Sequence, residues 1–295
     1  MIDTCPLCGG QTLELALTCK DWYASGETFE VVRCAQCGFL MTQNAPVEAE
    51  IGRYYESPDY ISHTNTRKGL TNSLYHVVRR FMLARKASLV MNSARLKKGR
   101  LLDYGTGTGF FPHTMKQKGW QVCAIDKSQA ARDFARQRFG LNVESEDALQ
   151  SYTEGSFDVV TLWHVMEHLE HLDDMWDTIH RLLKKHGTLI VAVPNPDSYD
   201  AQKYQEYWAA YDVPRHLWHF TPSTIMQWGE KHGFVLERQY TMPFDGFYIS
   251  MLSEQYKGSR LHTIKGFWNG FKGWIAQWKR RSASSSIIYV FRKKR

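Results

Sequence analysis

The 295-residue sequence predicts an α/β fold, a mostly parallel sheet wrapped by helices, with a small cysteine-bearing ribbon at its N-terminus. Three observations carry that expectation. From about residue 99 onward, apolar runs of strand length alternate with helical patterns. One run, Leu101-Leu102-Asp103-Tyr104, leads into a loop with glycine at alternate positions, Gly105, Gly107 and Gly109, and a helix follows from Phe110 to Lys118. Two C-x-x-C pairs, Cys5/Cys8 and Cys34/Cys37, each followed by glycine, precede all of this.

A hydrophobic content of 43% suits one full α/β core with attachments. The net charge of +7 includes four positives in the tail Phe291-Arg292-Lys293-Lys294-Arg295. That excess favours anionic ligands but falls short of a nucleic-acid footprint, so nucleic acid is not an expected partner. No secretory pattern opens the chain and no run approaches the roughly 18 apolar residues of a membrane span, so a cytoplasmic location is expected. In that reducing compartment, the four cysteines have the spacing of a tetrahedral site for structural Zn2+, with Cys5, Cys8, Cys34 and Cys37 as ligands. A closed four-sulfur site leaves no open position for catalysis. Cys19 and Cys123 are left over and read as packing residues.

Taken in order, residues 1–45 form the ribbon, and Pro46 opens a connecting region, 46–98, that serves as a helical cap or linker. Its aromatic stretch from Tyr54 to His63 is too irregular for a strand. A helix from about Asn72, with Leu74, Val77, Val78 and Phe81 on one face, stops at Lys97-Lys98-Gly99. The main domain spans 99–295. Its three loop glycines let the backbone turn sharply and approach a ligand with no Cβ in the way. Phe110 stands where a dinucleotide fingerprint requires glycine, which disfavours NAD. Val122–Asp126 is the second strand, and Asp126 closes it at about the distance where a carboxylate accepts from two ribose hydroxyls.

Ser128 caps the next helix, which ends before Gly140, and Leu141–Val143 begins the third strand, followed by Glu146-Asp147-Ala148. Phe157–Trp163, the fourth strand, leads into His164-Val165-Met166-Glu167-His168. The H-x-x-E-H spacing matches zinc-peptidase helices, but a strand that runs straight into it argues against that chemistry. A scaffold helix from Asp173 to His186, with Met175, Ile179, Leu182 and Leu183 inward, ends at Gly187. Thr188–Asn195 is the fifth strand. The loop Trp208–Pro222 leaves its carboxyl end and forms the acceptor side of the site. Thr221 and Pro222 start a helix as N-cap and N1. Phe234–Thr241 is the sixth strand and Ile287–Phe291 the last. The insertion between them, about 242–284, carries Phe267, Phe271, Trp274, Ile275 and Trp278 at helical spacing beside Lys272, Lys279, Arg280 and Arg281. At about 265–281 this is an amphipathic helix, open to three uses: substrate lid, core packing, or peripheral membrane contact.

The D-x-G-x-G-x-G loop and the acid closing the next strand resemble motif I of class I S-adenosylmethionine-dependent methyltransferases. F-D-x-V followed by x-x-E-H-L is similar to the segment after the fourth strand of ubiquinone-biosynthesis O-methyltransferases. The resemblance covers about residues 50–295 and implies a Rossmann-like sheet of seven strands, the last antiparallel. It implies S-adenosyl-L-methionine over Asp103, Gly105, Gly107 and Gly109. Asp126 takes the ribose, Asp147 with Ala148 the adenine, and Trp163 and His164 lie beside the methionine end. By the same resemblance Tyr55, Tyr60 and His63 either line the site or simply pack. Some relatives hold magnesium at this turn with two acids and a histidine; His164 replaces the first acid, so ion dependence stays open, with Glu167-His168 orienting the turn.

The expected reaction is methyl transfer to a hydroxyl or carbon of a small-molecule acceptor, possible types being a sugar or a quinone-like metabolite. Positioning does most of the work, because the sulfonium is already activated. His216 and His219 are the leading bases, with His164 a third catalytic candidate, and Arg215 suits an anionic group. The alternative is an RNA- or protein-binding methyltransferase that uses the zinc ribbon and basic tail for macromolecular recognition. A cysteine-rich module ahead of this domain also occurs in sugar C-methyltransferases, a partial parallel. Oligomeric state is left open.

Overall fold

A computed structural model describes residues 1–55 and 70–294, with backbone alone for 70–77. The expectations for Tyr60 and His63, and for the side chains of Leu74 and Val77, lie outside the described residues. The chain opens with an antiparallel meander of β1 (Leu13–Lys20), β2 (Thr28–Cys34) and β3 (Leu40–Thr42). Helix α1 (Leu70–Ala94) then leads to the main sheet. Phe81, expected to share one apolar face with Leu74, Val77 and Val78, is 55% exposed, whereas Ala87, Leu89 and Val90 are buried against Leu101, Met115 and Ile190. Among the described side chains, the helix meets the sheet through its C-terminal half.

The main sheet runs β4 (Arg100–Tyr104), α2 (Phe110–Gln117), β5 (Gln121–Ile125), α3 (Gln129–Phe139), β6 (Val143–Glu144), α4 (Ala148–Ser151) and β7 (Phe157–Trp163). Helix α5 (Leu172–Leu182) and strand β8 (Leu183–Pro194) follow. Ser128 caps α3 by accepting from the Ala131 N–H, and Gly140 closes it at φ 61. The expected helix to His186 ends early. Leu183 already pairs with Phe157 in the ladder, and His186 adopts φ 62, a left-handed value that a right-handed helix excludes. The buried face of α5 is Leu172, Trp176, Ile179 and Leu182.

Beyond β8 come α6 (Tyr199–Tyr204), β9 (Trp218–His219), α7 (Pro222–Lys231), β10 (Phe234–Thr241), α8 (Asp245–Tyr256), α9 (His262–Lys279) and β11 (Ser286–Lys293). Thr221 and Thr224 form a reciprocal capping box on α7, with Pro222 at its first position. The seven strands lie in the order β10-β11-β8-β7-β4-β5-β6, parallel from β8 to β6, with β11 antiparallel to β8 and to β10. Helices cover both faces, which is why β7 and the 188–194 part of β8 are near-continuous apolar runs. Strand β9 does not join this sheet. It pairs with β3, Leu40 opposite His219 and Met41 opposite Trp218, and so extends the N-terminal meander to four strands. In the main sheet β5 and β7 flank β4 on opposite sides, a topological switch that opens a crevice beyond their carboxyl ends.

Candidate active site

The crevice floor is the loop after β4. Gly105, Gly107 and Gly109 all have left-handed φ, at 72, 56 and 80°. A Cβ at Gly105 would overlap the side chain of Val165, so this loop and the turn after β7 close directly on one another. At Gly107 the reason differs. Nothing lies within 4 Å of a Cβ there, so the backbone faces open space from which a ligand can approach. Asp103, 1% exposed, accepts from the hydroxyls of Thr106 and Thr161 at 2.6 Å each, tying β4 to the loop and to β7. Burial pushes its carboxyl up to about 6. Asp126 accepts from the Gly107 N–H at 2.6 Å and the Ser128 N–H at 2.9 Å. One strand further, Asp147 is exposed ahead of α4, which begins at Ala148.

Across the crevice, Trp163 ends β7 with its ring edge-to-face on Phe111 and the Lys86 ammonium 4.4 Å above it. His164 then turns the chain at φ 57, a conformation that costs energy for a residue with a Cβ. Its N–H donates to Ala192 O at 2.9 Å, while Nδ1 lies 3.5 Å from Glu167 and Nε2 lies 3.3 Å from Asp245, the first residue of α8. Burial opposes a charge on this ring, but Asp245 and Glu167 outweigh it and raise His164 to about 9. Glu167 is 1% exposed, and among the described residues neither carboxylate oxygen has a hydrogen-bond partner. Burial disfavours its charge as well, yet the surrounding His164, His216 and His168 hold it below the ordinary glutamate value.

The acceptor-side loop docks on this turn. The Leu217 N–H donates to Glu167 O at 2.8 Å and the Trp218 indole to Leu169 O at 2.6 Å. His216 Nδ1 meets Ala210 O at 2.9 Å, His168 Nδ1 meets Arg215 O at 3.0 Å, and the two rings pack edge-to-face 4.5 Å apart. Burial, with His216 beside it, lowers His168 to about 4. His219 stands apart from this pair. It lies in β9, 4% exposed, its Nε2 at 3.0 Å from the Thr42 hydroxyl, and burial lowers it to about 3. The anion expected for Arg215 comes from the chain itself: the buried guanidinium donates to Asp21 and Asp212 and to Tyr54 O.

Among the described residues, two side-chain clusters have the makings of metal sites. The thiols of Cys5, Cys8, Cys34 and Cys37 lie within 4.8 Å of one another, with Cys5–Cys37 and Cys8–Cys34 both at 3.6 Å. Sulfurs bound tetrahedrally at about 2.3 Å from zinc are about 3.8 Å apart, so the set fits that ion. Gly9 and Gly38, at φ 76 and 77°, turn the chain behind each pair. The second cluster is Glu167, His168 and His216, whose ligand atoms also lie within 4.8 Å of one another. Cys19, by contrast, is buried in apolar surroundings that push its thiol up to about 12, the state of a packing residue.

A family profile described as "Methyltransferase domain" matches residues 76–239. The ubiquinone biosynthesis O-methyltransferase of Alkalilimnicola ehrlichii is 30% identical over 179 residues, 55% of this chain and 69% of that protein. Its counterpart in Nitrosococcus oceani is 26% identical over 181 residues, 57% of this chain and 75% of that protein. The chain belongs to the S-adenosylmethionine-dependent methyltransferase family. Among solved structures, a Galdieria sulphuraria protein described as a sarcosine dimethylglycine methyltransferase shares the fold at a TM-score of 0.50 and 16% identity, covering 74% of this chain and 86% of that one. The methyltransferase sheet of seven strands with an antiparallel β11 is thus as the sequence led us to expect. Two acids escaped that reading. Asp245 opens an insertion helix with no motif around it, and only tertiary packing brings it to His164; Asp212 sits among many ionisable neighbours in the acceptor-side loop, its Oδ2 3.8 Å from Nε2 of His216 one turn on.

Proposed function

We propose that this methyltransferase transfers a methyl group from S-adenosyl-L-methionine to a hydroxyl or carbon of a small-molecule acceptor, sugar or quinone-like in type. The observation that carries this reading is the unobstructed backbone at Gly107, held by the Asp126 carboxylate beside it. Relatives named for ubiquinone-biosynthesis O-methylation favour a hydroxyl as the accepting group. When bound, S-adenosylmethionine supplies a methyl already activated on a sulfonium, so the protein's task is alignment and exclusion of water.

Asp126 presents its carboxylate to the ribose hydroxyls, Asp147 and the Ala148 backbone take the adenine, and Trp163 with His164 flanks the methionine end over Gly105, Gly107 and Gly109. Asp103 acts through the loop: its two threonine contacts fix the path of the glycines. His216 is the proposed base. Its Nδ1–H donates to Ala210 O, which leaves the Nε2 lone pair to take the acceptor's proton. His219, low in basicity and bonded to Thr42, positions the loop instead. Cys5, Cys8, Cys34 and Cys37 hold a structural Zn2+ in a ribbon of residues 1–45; residues 46–98 form the cap, and 99–295 the catalytic domain.

Calorimetric titration with S-adenosylmethionine and S-adenosylhomocysteine tests the cofactor assignment. Heat on titration of either supports it, and none with both ends it. Once an acceptor is found by screening, His216→Gln should lower turnover by about 100-fold or more while cofactor affinity stays within experimental error.

A further inference from the structure

Helix α9 is built inside out for a helix in water. Its buried face consists of Gly266, Asn269, Gly270 and Gln277. A Cβ at Gly270 would stand 2.6 Å from Phe247 Cα, and one at Gly266 would overlap the Met251 backbone, so α9 lies against α8 through small residues. Asn269 adds polar ties, donating to Tyr204 OH at 2.9 Å and Glu254 at 3.0 Å. The apolar side chains point the other way. Ile264, Phe267, Trp268, Phe271, Ile275 and Trp278 share an arc of about 100° opposite the glycines at 100° per residue. Trp278 is 75%, Ile264 68% and Trp268 59% exposed.

These side chains form one surface, since the rings of Trp268, Phe271, Trp274 and Trp278 meet in series at 5.7, 5.9 and 5.1 Å. Lys265, Lys272 and Lys279 recur every seven residues, so they form a single exposed stripe along one border of the arc. From Lys257 to Arg281 the sequence has seven Lys or Arg and no Asp or Glu. Among the described residues no helix is long and apolar enough to cross a membrane.

We propose that this face is a peripheral docking surface for an anionic phospholipid bilayer, with α9 lying in the plane of the headgroups. Tryptophans and aliphatic side chains enter the boundary with the acyl chains, and the lysine stripe meets lipid phosphates. The absence of any acid in the segment is what favours an anionic bilayer over a second copy of the chain, which would set lysine stripe against lysine stripe. Asp245, the first residue of α8 on which α9 packs, pairs with His164, so the docking helix is separated from the crevice by α8 alone.

The test is flotation of the full-length protein with vesicles of pure phosphatidylcholine and with vesicles in which about a third of the lipid is phosphatidylglycerol. The wild-type chain should float with the anionic vesicles far more than with the neutral ones. Trp268→Ser with Trp278→Ser should lower partitioning at least about tenfold. Replacing Lys265, Lys272 and Lys279 with Gln should lower it about fivefold per charge. All five positions are exposed, so the fold should persist; in the wild-type chain itself, anionic vesicles should slow hydrogen exchange across 262–279. Failure to float with either vesicle type overturns the proposal, as does flotation that the tryptophan variant leaves unchanged. A dimer that this variant dissociates, without vesicle binding, assigns the face to a second copy instead.

Discussion

His164 leaves β7 in a left-handed turn with an acid at each ring nitrogen, and its protonation is therefore coupled to folding. Its folded value of about 9 lies above the ordinary 6.5, so the stabilisation it contributes is fully present below about pH 6.5 and is lost as pH rises through about 9. Thermal melts across that range should show the wild-type chain losing stability relative to His164→Gln as pH increases; parallel curves would mean the two acids do not hold a proton there. At Arg215 the interaction is deeper, because the guanidinium and Asp21 are both buried. Arg215→Met should cost about 3–5 kcal/mol in urea unfolding, since it strands two carboxylates. Asp126→Ala should weaken S-adenosylmethionine binding by about 1–3 kcal/mol by calorimetry; unchanged affinity removes its ribose role. Asp103, the glycines and Asp126 were legible in sequence because one strand-loop-helix-strand unit contains them all. Asp245 and Asp21 were not, because their partners lie in distant segments that meet only after folding.

The loop after β4 and the turn after β7 are two elements whose spacing is set by the missing Cβ of Gly105. Gly105→Ala should therefore destabilise the fold by about 1–3 kcal/mol and lower cofactor affinity, and Val165→Ala in that background should recover part of both. A Gly105→Ala variant with unaltered melting temperature would show that the loop shifts freely. Strands were read well wherever burial on both faces left a continuous apolar run, as in β7, β8 and β11. The end of α5 was misread because Leu183 continues the helical stripe, yet its backbone is claimed by the ladder to Phe157. Period alone does not report which of two hydrogen-bonding partners wins.

At the scale of the molecule, the N-terminal meander and the catalytic sheet are coupled through β9 and through Arg215. Removal of the proposed zinc with a chelator should release about one metal ion per chain and lower the melting temperature of the whole protein by several degrees, in a single transition. Two well-separated transitions would show that the meander melts by itself. The cysteine spacing revealed the cluster, but nothing in it pointed to Trp218 and His219 as the fourth strand: two residues carry no periodicity. Their pairing with Leu40 and Met41 has an evolutionary corollary. A transplant of the first three strands onto a foreign scaffold leaves one margin of β3 uncapped and prone to stick to other chains, so lineages that trade this module must carry the His216 loop along with it, and the two stretches should be inherited as one part.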